Sequence, residues 1–254
     1  MCGGVATGFG WRDLGSIHTA NFTGLLDLNL SNKNISYIFG DAATNDFSKE
    51  FTLLVPPKAG TQPSNRPTTV ALFADLGVGS SDNSFDTTVW QEQCPPATNT
   101  SYSIGALAQR GEIDAAFHNG DISYANGYLS GWDFFLDMIS PISGRVVYLT
   151  TVGNHESDWP GTASTPGYGD ASGGECGVCT VKLLPMPAPA TVDQPWWSYD
   201  IGLMHFIGMS TEHNFTINSP QYLWLQNDLE RVNRSITPWI IFSGHRSMYV
   251  DSYF

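Results

Sequence analysis

Phe117-His118-Asn119-Gly120-Asp121-Ile122-Ser123-Tyr124 is the stretch on which the reading of this chain turns. The apolar run Ala115-Ala116-Phe117 has the character of a buried strand, and it ends at a glycine turn that delivers an aspartate and, three residues on, a tyrosine. A carboxylate and a phenol leaving one tight turn can both reach a hard cation, and the glycine lets the backbone come close. An Asx turn would explain an aspartate beside glycine just as well if the octapeptide stood alone.

It does not stand alone. Thr69 to Ala74 runs into Asp75-Leu76-Gly77, Val146 to Gly153 runs into Asn154-His155-Glu156, and Trp239 to Gly244 runs into His245-Arg246. Each is a buried-type strand ending in polar donors, and in open α/β sheets ligands bind beyond the carboxyl ends of the strands. Independent turn caps would not all carry Asp, Asn, His or Tyr, so the four ends are expected to share one metal site.

These blocks, Ala74-Asp75-Leu76-Gly77, Gly120-Asp121-Ile122-Ser123-Tyr124, Gly153-Asn154-His155-Glu156 and Gly244-His245, resemble in order and spacing those of the purple acid phosphatases, within the metallophosphoesterase superfamily. Similarity in Tyr124 to Tyr128, Gly169 to Cys176 and Ser210-Thr211-Glu212-His213 extends the resemblance over most of the chain. Ala74 stands where the family has glycine, and the family's last block, Gly-His-x-His, is not in the sequence. The resemblance implies an α/β (α+β) four-layer αββα metallophosphoesterase fold. It also implies a binuclear centre of Fe(III) plus a divalent metal (Zn, Mn or Fe) that provides a metal-bound hydroxide to attack phosphate monoesters or nucleotide phosphoanhydrides. In that scheme Asp121 bridges the ions, Asp75 and Tyr124 hold the iron, and Asn154 and His245 hold the divalent ion. His155 is the catalytic group beside the phosphate, with His213 and Arg246 as further substrate contacts. The rival expectation is a phosphatase-like protein that binds metal or phosphate without turnover, which the absent last block favours.

The net charge of −13 argues against nucleic acid or an anionic membrane as partner, because affinity for a phosphate backbone rests on Lys and Arg. An acidic protein handling a small phosphate ester needs a local positive field, which bound metal ions would supply. No run of apolar residues is long enough to span a membrane, and the first eight residues lack the basic and apolar regions of a signal peptide. Six sequons, at Asn21, Asn29, Asn34, Asn99, Asn214 and Asn233, nonetheless fit a glycosylated, secreted or vacuolar protein. The sequence is therefore expected to be a fragment incomplete at both ends and catalytically poor as it stands. Of the four cysteines, Cys2, Cys94, Cys176 and Cys179, the close pair Cys176-Gly-Val-Cys179 is expected to form a local disulfide.

Residues 1–56 alternate at strand period, as in Ile17 to Phe22 and Ile35 to Asp41, and read as the C-terminal strands of a β-sandwich. The resemblance implies the same, a partial fibronectin-III-like β-sandwich. Residues 57–67 are a Pro-rich linker and 68–254 the catalytic domain lacking its C-terminal end. Short helices are expected over Ser101 to Arg110 and Gly131 to Ile139, with a longer one opened by Ser219-Pro220 whose core stripe is Tyr222, Leu225, Leu229 and Val232. Met204 to Met209 reads as a buried strand and Leu184 to Pro195 as a surface loop. His118 is expected to be a satisfied core residue, while His18 and His205 carry no signal.

Overall fold

The computed structural model describes residues 1–8, 30–79, 94–162, 169–187 and 190–249. Its centre is a parallel three-stranded sheet, β5 (Val70–Phe73), β6 (Ala115–Asn119) and β7 (Val147–Thr151), in that spatial order. The helices α1 (Cys94–Gln109) and α2 (Leu129–Ser143) make the two crossovers that parallel pairing requires. A second sheet holds the hairpin β8 (Trp197–Ile201) and β9 (Met204–Gly208), with β10 (Trp239–Ser243) added parallel to β9 after helix α5 (Pro220–Arg231). Two one- to two-turn helices, α3 (Asn154–Ser157) and α4 (Val178–Leu183), lie in the connection between β7 and β8. The layers run helices, sheet, sheet, helix, as the family resemblance implies.

Burial explains the stacking. Ala115, Phe117 and Leu149 of the first sheet meet Trp197, Ile201 and Phe206 of the second, with Phe117, Trp197 and Ile201 wholly buried. Truncating an aromatic in such a core typically costs ~3–5 kcal/mol. The other face of the first sheet is covered by α2, whose Leu129, Trp132, Phe135, Met138, Ile139 and Ile142 recur at helical spacing and are all buried. Helix α1 starts seven residues before the expected Ser101, with Pro95 and Pro96 in its first turn, where their missing N–H groups are not needed. It is tied to α2 by Ser101 Oγ donating to Met138 O at 2.7 Å.

Ser219 caps α5 as its sequence predicts, accepting from Tyr222 N at 3.2 Å. The expected core stripe does not hold: Leu229 is 41% exposed, and the buried residue is Gln221, whose amide answers both polar groups of the Ser210 backbone (2.7 and 2.9 Å). The helix is therefore anchored by polar contacts that hydrophobic periodicity cannot register. His205, which carries no signal in the sequence, is one of them. Its Nδ1 lies 2.6 Å from Asp200 Oδ1 on β8 and its Nε2 2.9 Å from Asp228 Oδ2 on α5, while the other oxygen of Asp228, Oδ1, accepts from Ser198 Oγ at 2.7 Å.

Ahead of the sheets, β1 (Asn34–Tyr37) pairs with β4 (Phe51–Leu54) and β2 (Gly40–Asp41) with β3 (Asp46–Phe47), all antiparallel. The β1–β4 ribbon docks on the turn after α2 through Leu54 N to Arg145 O (2.7 Å) and Tyr37 Oη to Gly144 O (3.1 Å). Ile17 to Phe22 lies outside the described residues. The Pro-rich 57–67 segment is packed, with Gly60 N donating to Gly202 O at 2.8 Å and Arg66 forming a bidentate pair with the buried Asp114 (2.6 and 2.7 Å). The local disulfide expected from Cys176 and Cys179 is not formed: Cys176 pairs with Cys2, 174 residues away, and Cys179 is a buried thiol. Chain contact decides this, since Cys2 N donates to Gly174 O at 2.8 Å and Ala6 N to Gly173 O at 3.0 Å, laying the first residues against that loop.

The His205 clamp gives a pH signature. Hydrogen bonds to Asp200 and Asp228 raise its pKa above 6.5 against the opposing pull of burial. A raised folded-state pKa stabilises fully below the unfolded value and the effect is lost as pH rises through the folded value. His205→Gln is expected to destabilise by roughly 1–2 kcal/mol near pH 5, a discounted figure because Asp200 is partly exposed, and by progressively less above about pH 7. Thermal denaturation of both proteins across that range checks it; a pH-independent gap would show that the clamp is not an imidazolium.

Candidate metal centre

The carboxyl ends of β5, β6, β7 and β10 converge. Asp75, Asp121 and His245 each offer a donor atom, and these atoms lie within 4.8 Å of one another. Tyr124 Oη donates to Asp75 Oδ1 at 3.0 Å; His245 Nε2 sits 3.2 Å from both Asp121 Oδ1 and Asn154 Oδ1. All five residues expected as ligands are thus neighbours. Asp75, Asp121 and Tyr124 also share a left-handed backbone, with φ of 53°, 47° and 50°. That conformation costs a tyrosine of order 1–3 kcal/mol and persists only where the surroundings impose it. Gly120 has φ of 78°, and a Cβ there would stand 2.7 Å from the His245 ring, so glycine meets two demands at once.

Three residues hold the loops in place, and the sequence pattern marked none of them for this role. Glu156 is 1% exposed and its carboxylate accepts three backbone N–H bonds, from Asp121 (2.9 Å), Ile122 (2.8 Å) and Gly153 (2.8 Å). Burial, and then the Asp121 charge, push its pKa up to about 8. Asn119 stitches the two sheets: its Nδ2 donates to Gly244 O at 2.8 Å, its Oδ1 accepts from Thr151 Oγ1 at 2.9 Å, and its backbone oxygen lies 3.1 Å from His245 Nδ1. Glu175, 2% exposed, accepts from Gly127 N and Trp132 Nε1, both at 2.8 Å, and so fixes the loop after Tyr124 to α2. The one legible hint was Glu156 inside the Gly-Asn-His-Glu block.

The charges are interlocked. Burial opposes a proton on His245, but the Asp121 carboxylate more than offsets it and raises His245 to about 9. Burial would raise Asp121, while His245 and the His155 N–H hold it below the usual range. Tyr124 is driven upward by burial and by the Asp121 and Asp75 charges. Two carboxylates, an amide oxygen, a phenol and an imidazole form a mixed oxygen and nitrogen donor set suited to hard and borderline cations. The donor chemistry and the imposed backbone strain fit a metal centre, and binding would displace the protons held on His245 and Tyr124.

His155 lies beside this cluster. Its backbone N–H donates to Asp121 Oδ1 at 3.0 Å, and its ring lies tilted against that of Tyr124 with centroids 4.3 Å apart. Nδ1 is 2.9 Å from Asn126 Oδ1, leaving Nε2 turned to Asp121 Oδ2 at 3.9 Å. His213 is 7% exposed, with Nδ1 2.8 Å from Ser210 Oγ, and is not among the clustered donors. Arg246 is on the rim, paired with Glu212. His118 is buried as expected but half satisfied: Nδ1 meets Tyr148 Oη at 2.9 Å, Nε2 has no partner, and burial lowers its pKa to about 3. Of the sequons, Asn34, Asn99, Asn214 and Asn233 are exposed, and Asn21 and Asn29 lie outside the described residues.

Two stacked sheets between helices, with carboxylate, amide and imidazole donors gathered at the strand ends, define a metallophosphoesterase. Residues 68–254 match the calcineurin-like phosphoesterase family. The chain belongs to that family, as a purple acid phosphatase-like metallophosphoesterase. It is 38% identical over 249 residues to "Probable inactive purple acid phosphatase 27" of Arabidopsis thaliana, covering 97% of this chain and 38% of that protein. A "Nucleotide pyrophosphatase/phosphodiesterase" of Hordeum vulgare is 35% identical over 208 residues, covering 81% and 53%. Purple acid phosphatase PPD1 from yellow lupin (Lupinus luteus) seeds superposes with a TM-score of 0.73 at 34% identity, covering 84% of this chain and 36% of that one. The chain thus spans well under two thirds of these relatives. No helix among the described residues is long and apolar enough to cross a membrane.

If Glu156 sets the donor loops, Glu156→Ala orphans three buried N–H groups. The expected loss is about 3 kcal/mol or more, at ~1–3 kcal/mol for each unsatisfied group. Denaturant unfolding measures the loss. Equilibrium dialysis on the folded variant is expected to show weakened divalent-metal binding, and wild-type affinity there would contradict the role.

Proposed function

We propose that the protein is an acid phosphatase of the purple type, hydrolysing phosphate monoesters or nucleotide phosphoanhydrides at a binuclear metal centre. The observation that carries this is the convergence of Asp75, Asp121, Tyr124, Asn154 and His245 from four strand ends. Asp75 and Tyr124 would hold Fe(III), Asn154 and His245 a divalent ion (Zn, Mn or Fe), and Asp121, which faces both halves, would serve both. When bound, the ions supply Lewis acidity and a positive field for the phosphoryl oxygens.

The chain's own groups do the rest. The three N–H bonds to Glu156 hold the Asp121 and Asn154 loops in one geometry, so no reorganisation is needed as charge develops. With Asn126 Oδ1 accepting at Nδ1, the His155 nitrogen facing the cluster is Nε2, which binds a phosphate oxygen or passes a proton to the leaving oxygen. Arg246 contributes at the rim; His213, buried against Ser210 and near the Trp196 ring, supports that wall. The exposed sequons fit a secreted or vacuolar glycoprotein with a small-molecule substrate. A second reading, a phosphatase-like protein that binds metal or phosphate without turnover, is favoured by several relatives that are named as probable inactive purple acid phosphatases.

Phosphatase assay of the metal-loaded protein, alongside phosphate binding, separates the two readings: turnover supports the first and binding alone the second. Asp121→Asn is expected to lower occupancy of both metals together, so full occupancy in elemental analysis would remove Asp121 from its shared role. His155→Ala is expected to cut turnover ~10²–10⁴-fold while metal content holds. Loss of activity that tracks loss of metal one for one would show His155 to be structural.

A further inference from the structure

The edge of the first sheet opposite the metal centre carries a cleft of about 340 Å³, within the ~300–1,000 Å³ range of small-ligand sites. Its walls are the β1–β4 ribbon, residues 63–66 and the C-terminal end of α1. Arg145, two residues before β7, and Arg66, paired with Asp114 just before β6, place it at the amino ends of the strands. Substrates of open α/β sheets bind at the carboxyl ends, so an occupant here has a structural task rather than a chemical one.

The walls are polar and only partly satisfied. The Arg145 guanidinium and the Asn65 and Gln109 amides, which line the cleft, make no hydrogen bond or ion pair among the described residues. Asn32, on the same wall as Asn34, has a buried Oδ1 without a partner. The ribbon itself needs support: it is two strands of four residues each, and such a hairpin is marginal in water. Two hydrogen bonds and the packing of Leu54 on the core beneath α1 tie it to the body of the protein, and polar walls cannot be closed by more of the same packing. Asn34 pairs with Leu54 and Ser36 with Thr52, so at the strand period of two Asn34, Thr52 and Leu54 share one face, and all three line the cleft. Asn34 is exposed and opens the sequon Asn34-Ile35-Ser36. Asn214 is placed otherwise: its Oδ1 turns back to accept from Thr216 N at 2.9 Å and Thr216 Oγ1 at 2.8 Å.

We infer that Asn34 carries an N-linked glycan whose first sugar is seated in this cleft, where it ties the β1–β4 ribbon to α1 and to the turn before β7. This rests on the reading of the chain as a secreted or vacuolar glycoprotein. In the modification the Asn34 amide nitrogen bonds to the anomeric carbon of an N-acetylglucosamine. The sugar–phosphate bond of a lipid diphospho-oligosaccharide donor breaks, the lipid diphosphate leaves and one amide proton is released, under a transferase of the secretory pathway. The acetamido carbonyl and the ring hydroxyls are acceptors for Arg145, which has five N–H donors and no acceptor of its own, and the hydroxyls can both donate to and accept from the Asn65 and Gln109 amides. A sugar attached to the wall has a high effective concentration at the cleft, so contacts too weak to hold a free saccharide suffice.

The test uses the full chain secreted from a eukaryotic host with a leader supplied. Glycopeptide mass spectrometry is expected to find sugar on Asn34 in the wild type and in Ser36→Thr, which keeps the sequon. Asn34→Gln and Ser36→Ala, which remove it by different routes, are expected to lower the melting temperature equally, by ~2–4 °C, the scale of about one lost hydrogen bond in a chain of this size. Asn99→Gln, which removes an exposed sequon on α1, is expected to leave the melt unchanged. Arg145→Met is expected to lower the melting temperature when Asn34 is glycosylated and to do so by much less in the Asn34→Gln background, the coupling that a direct contact requires. Sugar on other sequons but not on Asn34, melts indifferent to loss of the Asn34 sequon, or an Arg145→Met effect equal in both backgrounds overturns the inference while the glycoprotein reading stands. If no sequon carries sugar, both fall.

Discussion

One buried carboxylate organises the site. Glu156 projects from the short helix after β7 into a space closed to water, and there it collects N–H groups from the turn after β6 and from the start of its own turn. A backbone N–H left unpaired in such a place costs as much as a hydrogen bond, so these three bonds are obligatory once the turns are buried. They fix Asp121 at a positive φ and hold Gly153 against it, with no room for a Cβ. Everything else about the cluster follows from where Asp121 stands: His245 and Asn154 on one side, Tyr124 and Asp75 on the other.

The cluster is assembled against its own electrostatics. Asp75, Asp121 and Glu156 bring carboxyl groups together in a protein of net charge −13, and their mutual repulsion is relieved by the proton on His245 and by the three N–H donors that face Glu156. A site that must hold protons to balance its charge is one that a cation can enter by exchange, with binding energy returned as stability.

Stitching between the two sheets makes the site a property of the whole sandwich. Asn119 reaches from β6 to Gly244 beyond β10, and the Phe117–Trp197–Phe206 core sets the distance over which it reaches. His245 is thereby brought to Asp121 from a sheet that shares no strand with it. Shifts in core packing would be felt as changes in donor geometry, because close-packed interiors transmit strain.

The resemblance to the purple acid phosphatases implied the αββα layering; the sequence by itself determined the strands that end in donors, their order and the identity of the five clustered residues. Those features are local: an apolar run of strand length, a glycine where φ is positive, a polar residue one or two places beyond. It also determined Ser219 as the cap of α5, again a matter of neighbouring residues. Only the tertiary structure decided the partners of groups far apart in the chain. Cys176 had a candidate three residues away and bonded to Cys2 instead, because the first residues lie along the 173–176 loop. His205 was silent until β8 and α5 set Asp200 and Asp228 on either side of it. Glu212 and Arg246 are 34 residues apart and meet only because β9 and β10 are parallel neighbours, whose carboxyl ends fall side by side. Periodicity reports which face of an element is apolar; which polar atoms then find one another is settled by the packing of sheets and helices, where burial makes every unpaired group costly.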